Sequence, residues 1–274
     1  MPNSSSIIRG NLLPLVSGSL YLSLFVQWVT LIINFFGLSF PISPNDLILK
    51  DVLVLESIVQ VIELIFYSWY GGITANVMTD VAVYRYYDWI FTTPMMLFST
   101  IIFYEYQNRK TQRDEQNLSP SGKDDPEKRV LTVEGFLKKH WMDVLIIGVA
   151  NFGMLLFGYL QEIGVISLLW STLFGFIGFG VSFYWMWSRF AVKTPENNGL
   201  LYIVMFILWG MYGIAALFTP AWKNISYNLL DMVAKNFYGV FLAITLYMLS
   251  RKPDRDIIGN LVPDIGRGTN GGLK

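Results

Sequence analysis

Apolar residues run through this chain in seven long stretches separated by polar breaks: about Leu12 to Phe40, Val52 to Thr74, Val81 to Tyr104, Trp141 to Leu160, Val165 to Trp187, Leu200 to Phe218 and Ile225 to Ser250. At a rise of about 1.5 Å per residue, each is long enough as a helix to cross a hydrocarbon core. None shows the period-two alternation of a barrel strand. The pattern predicts an all-α membrane protein, a bundle of seven transmembrane helices. Orientation follows from Lys and Arg, which collect in cytoplasmic connections. With the N-terminus outside, sixteen of the twenty fall on the cytoplasmic side: Lys50, eight from Arg109 to Lys139, Arg189, Lys193, and five from Arg251 to Lys274. Only Arg9 and Lys223 then lie outside, and Arg85 and Lys235 stay within spans. The expected topology is N-terminus outside, C-terminus cytoplasmic.

Composition narrows the chemistry. The 274 residues are 53% hydrophobic and 15% charged, where soluble domains average about 25% charged. The absence of cysteine excludes disulfides, thiol catalysis and Cys-ligated metals. The single histidine, His140, excludes a multi-histidine metal site and reads as an interfacial residue. Residues 1–252 form one transmembrane domain. It includes a long cytoplasmic loop, about residues 107–140, whose mixed charge and Ser-Pro-Ser-Gly centre read as a solvated linker. Residues 253–274 read as a flexible cytoplasmic tail. Nothing points to an enzyme or a nucleic-acid partner. The lipid bilayer is the expected surrounding, with no particular cellular membrane indicated.

Two stretches carry ionisable groups where they are expensive. Lys235 sits in Asp231-Met232-Val233-Ala234-Lys235, roughly 15 Å into the last span when counted from Ile225. Snorkelling from that depth is a poor escape, so the amine is paired with Asp231, covalently modified, or both. Span three holds Arg85-Tyr86-Tyr87-Asp88-Trp89-Ile90-Phe91-Thr92-Thr93-Pro94. There Asp88 lies roughly 10 Å deep, with Arg85 one turn further out. Asp88, Asp231, Arg85 and Lys235 make a buried quartet of formal charge zero, as a low-dielectric interior requires. A structural quartet and a functional one both fit these residues.

The two motifs together, on spans three and seven of a seven-span chain, closely resemble those of the microbial (type 1) rhodopsins, proteorhodopsin-like ones among them. The resemblance covers nearly all of the membrane part. It implies all-trans retinal bound covalently to Lys235 as a protonated Schiff base, Asp88 as primary counterion and proton acceptor, Asp231 as second counterion, and Arg85 as outward gate. It also implies a retinal pocket of Trp89, Thr92, Thr93 and Met96 on span three, Met154 and Gly158 on span four, Trp170 on span five, and Trp209 and Tyr212 on span six. Met96 favours green absorption. Family members are commonly homo-oligomers, and protons or small cations are the expected transported partners.

The chain departs from the family pattern at several places. Gly213 stands where a proline usually follows the span-six tyrosine. Ser99 stands eleven residues after Asp88, where many proton pumps carry a carboxylic donor, so the motif positions read Asp88, Thr92, Ser99. A hydroxyl cannot supply a proton at useful rates by itself. Lys223 on the outer side has no obvious pair of glutamates beside it. Span two offers a replacement donor, since Glu56, Gln60 and Glu63 share one helical face. Glu63 falls roughly mid-membrane and Glu56 about two turns nearer the cytoplasm. The row could be an inward donor chain, a cation-lining row, or a structural pairing with polar groups on span one or seven such as Asn34 or Asn236. Paired span-two glutamates with the Asp-Thr-Ser triad look like the viral branch of the family. The expected function is a light-driven outward proton pump, with a light-gated cation channel as the rival and a photosensory receptor third.

Overall fold

A computed structural model describes residues 4–73, 81–117, 130–193 and 196–251. Seven helices account for nearly all of them: α1 Ser4–Ser39, α2 Ile48–Ile73, α3 Val81–Asn117, α4 Val133–Glu162, α5 Leu168–Arg189, α6 Glu196–Ala215 and α7 Pro220–Ser250. Two 3-10 turns, Pro44–Asp46 and Ala191–Lys193, join α1 to α2 and follow α5. Local chemistry sets the helix ends. Thr132 is extended (φ −121°, ψ 154°) and its hydroxyl accepts the Gly135 N–H at the start of α4, a side-chain N-cap. Pro220 opens α7 at a position where no N–H is needed. Gly164, at φ +76°, takes the left-handed turn between α4 and α5 that a side chain would resist.

Sequential helices pack side by side, and α7 closes the ring by packing on both α6 and α1. α7 also touches α2 and α3, so its inward face lies at the centre. Polarity is inverted relative to a water-soluble core. Phe25 and Phe36 are each 65% exposed, whereas Glu56, Glu63, Arg85 and Asp231 are fully buried. Lipid accepts the first set, and only other polar groups accept the second. Four helical segments are apolar and long enough to cross a membrane on those grounds alone: Pro14–Ser39, Val133–Glu162, Leu168–Lys193 and Pro220–Ser250. The bundle is an integral, multi-pass membrane protein.

In the connection expected to be a loop over about 107–140, the described residues are largely helical. α3 continues to Asn117 and α4 begins at Val133. Charges read as solvating side chains instead pair along and between the helices: Glu105 with Arg109 at 3.0 Å, Lys139 with the same Glu105 carboxylate at 3.0 Å, and Glu134 with Lys138 at 2.6 Å. His140 has specific neighbours. It breaks the helical dihedrals of α4 (φ −119°, ψ 17°), and its ring packs between Phe136 and Phe190 with Nδ1 3.1 Å from Asp143. Residues 118–129, the proposed tail at 253–274 and the N-terminal residues 1–3 lie outside the described residues.

Close approach of α1, α2 and α7 depends on Gly37. A Cβ there would sit 2.8 Å from Leu53 Cδ2 and 2.9 Å from Ala243 Cβ, nearer than packed atoms tolerate. Gly37→Val is therefore expected to destabilise the bundle by about 1–3 kcal/mol, read as a lower midpoint of thermal unfolding in detergent.

Candidate functional site

Helical spacing assembles the site from four elements. Asn224, Asn228, Asp231 and Lys235 recur on one face of α7, Arg85, Asp88 and Thr92 on α3, and Glu56, Gln60, Glu63 and Tyr67 on α2. All are buried. α1 adds a stripe of Ser19, Ser23, Gln27, Thr30 and Asn34, also buried.

Lys235 is the hub. Its Nζ lies 3.0 Å from Asp88 Oδ2 and 3.5 Å from Asp231 Oδ1, and it is ion-paired with Glu63 Oε1. Asp231 is the most heavily supported of these carboxylates. Tyr67 OH donates to its Oδ2 at 2.7 Å, Arg85 Nη1 donates to the same oxygen at 3.0 Å, and Tyr212 OH donates to Oδ1 at 2.8 Å. Arg85 also donates to Tyr67 OH at 3.0 Å and to Asn228 Oδ1. Its guanidinium lies 5.4 to 5.9 Å from the ring centroids of Tyr70, Tyr67, Tyr227 and Phe66, an aromatic cage suited to a desolvated cation. Asp88 has fewer partners, and its Oδ1 is buried without a hydrogen bond. Thr92 donates to the Asp88 backbone carbonyl at 3.1 Å.

Two expectations change here. The quartet is a quintet, because Glu63 from α2 reaches Lys235 directly. Glu63 of the span-two row does pair with a polar group on span one, but it is Gln27, not Asn34 or Asn236. Gln27 Nε2 donates to Glu63 Oε2 at 3.0 Å, and Asn236 bonds its own helix at Met232 O, 2.7 Å away. Glu56 lies two turns from Glu63 toward the start of α2, where Ser99 donates to its Oε1. It has no cation among its ion-pair partners in the described residues. Gln60 Nε2 donates to the Lys235 backbone carbonyl at 3.2 Å, tying α2 to α7 between the two acids.

From Lys235 an aromatic-walled cavity opens between α3, α4, α5, α6 and α7. Trp89, Thr93, Met96, Met154, Gly158, Trp209 and Tyr212 line it, as do Phe176 and Phe179, which the motifs had not suggested. Thr93 is held by two bonds, donating to Trp89 O at 2.7 Å and accepting from Asn151 Nδ2 at 2.9 Å. Thr92 is not in the wall; it faces the carboxylates. Trp170 is not in the wall either. It is 52% exposed and stacks on Phe174 at 5.7 Å. The phase of α5 is the reason, since Ser171, Gly175 and Phe179 share the inward face and Trp170 lies about 100° away from Ser171. Gly213 has a packing role: a Cβ there would fall 2.6 Å from the Phe176 ring. On the other side of the bundle Lys223 does find an acid, Glu162 at 2.7 Å, a single partner where a pair of glutamates had been sought.

The fold and site define a class: a seven-helix membrane protein with one buried lysine among carboxylates at the inner end of an aromatic cavity. The family model for bacteriorhodopsin-like proteins matches residues 21–249, and the chain belongs to that family. Retinal is the chromophore of the family, and the donor set fits it, because an amine meets an apolar, aromatic slot there. Among solved structures, the viral rhodopsin OLPVRII is similar at 27% identity and a TM-score of 0.67, covering 86% of this chain and 99% of its own. A blue light-absorbing proteorhodopsin from Med12 is similar at 16% identity and a TM-score of 0.63, over 86% and 99% of the two chains. Bromide-bound halorhodopsin from Halobacterium salinarum follows at 15% and 0.60, over 90% and 97%. The last two likenesses concern the fold alone. No curated protein sequence matches the chain.

The cavity wall predicts which substitutions reach the chromophore. Phe179→Ala is expected to shift the visible absorption maximum of the retinal-reconstituted protein, whereas Trp170→Phe leaves it in place. Absorption spectra of the two purified variants check this.

Proposed function

We propose that this protein is a light-driven outward proton pump with all-trans retinal on Lys235. The observation that carries the reading is the separation of acids about the lysine. Asp88 stands 3.0 Å from Nζ with a free oxygen, and a second acid, Glu56, sits apart on α2 with only a hydroxyl for a partner. When bound, retinal absorbs light and isomerises, which redirects the Lys235 N–H and lowers its hold on the proton.

Asp88 is the acceptor, because Asp231 is already saturated by Arg85, Tyr67 and Tyr212. Arg85, held by Asn228 and its aromatic cage, bars the way back on the outer side. A buried carboxyl with no cation beside it is most stable as the neutral acid. Glu56 therefore stores a proton on the cytoplasmic side and passes it along the α2 face, by way of Glu63, to the Lys235 nitrogen. Ser99 orients that acid; the donor lies on α2 where other members carry it on α3. Net outward transport follows once Asp88 releases its proton.

A second reading, a light-gated cation channel, has its own observation. Gln27, Asn34, Glu56, Gln60 and Asn236 each carry a buried oxygen or nitrogen without a hydrogen-bond partner, a polar file along α1, α2 and α7 that could be hydrated. Current–voltage curves separate the two, since a channel current reverses with the ion gradient and a pump current stays outward.

Illumination of expressing cells is expected to acidify the medium, an effect a protonophore abolishes. Asp88→Asn should eliminate it. Glu56→Gln should slow recovery of the resting protein after a flash by on the order of 100-fold, followed by flash photolysis, with the rate restored on adding a small weak acid such as azide.

A further inference from the structure

The acids around Lys235 outnumber the cations. Arg85 and Lys235 bring two positive charges; Asp88, Asp231 and Glu63 bring three negative ones. All five residues are at most 3% exposed, and among the described residues no other cation is ion-paired with the group. Tyr67 and Tyr212 contribute neutral phenols. A net negative charge in a low-dielectric interior is unfavourable, and one extra proton on a carboxylate removes it.

Hydrogen bonding says which carboxylate. Asp231 receives three donors and suits the anion. Lys235 Nζ, once covalently linked to retinal, carries a single hydrogen, which the proposed pump directs to Asp88, its hydrogen-bond partner at 3.0 Å. Glu63 then loses its lysine donor and keeps only Gln27, whose Nε2 donates to Oε2 at 3.0 Å. Glu63 Oε1, whose partner in the structure is Lys235 Nζ, is then left without one, and Gln27 Oε1 is buried without a hydrogen bond. Both are acceptors, so they cannot satisfy each other unless a proton lies between them. A proton on Glu63 Oε1 closes a two-bond pair of carboxylic acid and primary amide, and satisfies both atoms at once.

We propose that Glu63 and Gln27 form a proton-storage site, in which Glu63 is a neutral carboxylic acid in the resting protein and no third counterion. The inference rests on the reading that Lys235 carries retinal. It keeps the cluster neutral throughout a cycle. At rest Arg85 and the Lys235 nitrogen are positive, and Asp88 and Asp231 negative. Transfer from Lys235 to Asp88 neutralises both. Transfer from Glu63 to Lys235 then breaks the Glu63 O–H, forms the Lys235 N–H and leaves Glu63 as the carboxylate beside a restored cation. Gln27 is thereby a positioning residue for the donor.

Visible absorption and infrared spectra of the retinal-reconstituted wild type, Glu63→Gln and Gln27→Leu test the site. Glu63→Gln should leave the absorption maximum unshifted, because an amide replaces a neutral acid, and should remove one protonated-carboxyl C=O band of the dark state. Gln27→Leu should keep that band and move it to higher wavenumber as the acid loses its amide partner. A red shift in Glu63→Gln with no band lost means that Glu63 is an anion, and overturns the proposal. Should Glu63→Gln not fold, Gln27→Leu decides alone, and an unmoved set of bands overturns it. A wild type that forms no visible pigment removes the retinal reading, and this site with it. A Glu63 band in a protein that acidifies nothing upholds the site and removes only the pump.

Discussion

The bundle depends on holding a lysine nitrogen among carboxylates in a place where water is scarce. Charges at that depth are tolerated only when each is met by an opposite charge or a donor. The contacts of Lys235, Arg85, Asp88, Asp231 and Glu63 draw α2, α3 and α7 to one point. Tyr67 of α2 and Tyr212 of α6 complete the shell from two sides. Removing any one member leaves another buried group unpaired, which couples the helices more tightly than apolar packing between them would in a lipid solvent.

That polar centre divides the interior into two unlike halves. Toward α4, α5 and α6 lies a dry aromatic cavity, shaped by glycines that let rings come close, as Gly158 does for Tyr86 and Gly213 for Phe176. Toward α1 and α2 the packing is polar: the buried amides and hydroxyls of α1 include Gln27, which donates to Glu63, and Ser19, which accepts from Asn228. The lysine stands at the boundary. One side can hold an extended apolar chromophore, and the other can carry protons.

The two α2 glutamates show how environment assigns different roles to identical side chains. Glu63 is within reach of a cation and an amide, and among the described residues Glu56 has the Ser99 hydroxyl as its hydrogen-bond partner. Ser99 is the hydrogen-bond partner of Glu56 on the neighbouring helix, and the proposed pump therefore takes its donor from α2 at the level where Ser99 stands.

By itself the sequence determined the seven helices, because apolar runs of membrane length leave little choice of fold. It also determined the Asp88, Asp231, Arg85 and Lys235 cluster, because ionisable residues at matching depths in such runs must meet. For Trp89, Met96, Trp209 and Tyr212 the motifs shared with the rhodopsins were enough. What needed the tertiary structure was anything set by rotation or by a partner on another helix. Trp170 lies on the outward face of α5, one residue out of phase with Ser171. Charges in 107–140 extend α3 and α4, since Glu105 finds Lys139 across the gap. Gln27 belongs to a buried polar stripe of α1 with Ser19, Ser23, Thr30 and Asn34. Its pairing with Glu63, and the third carboxylate this brings to Lys235, follow from how α1 and α2 are turned toward α7, a rotation that no single-helix periodicity specifies.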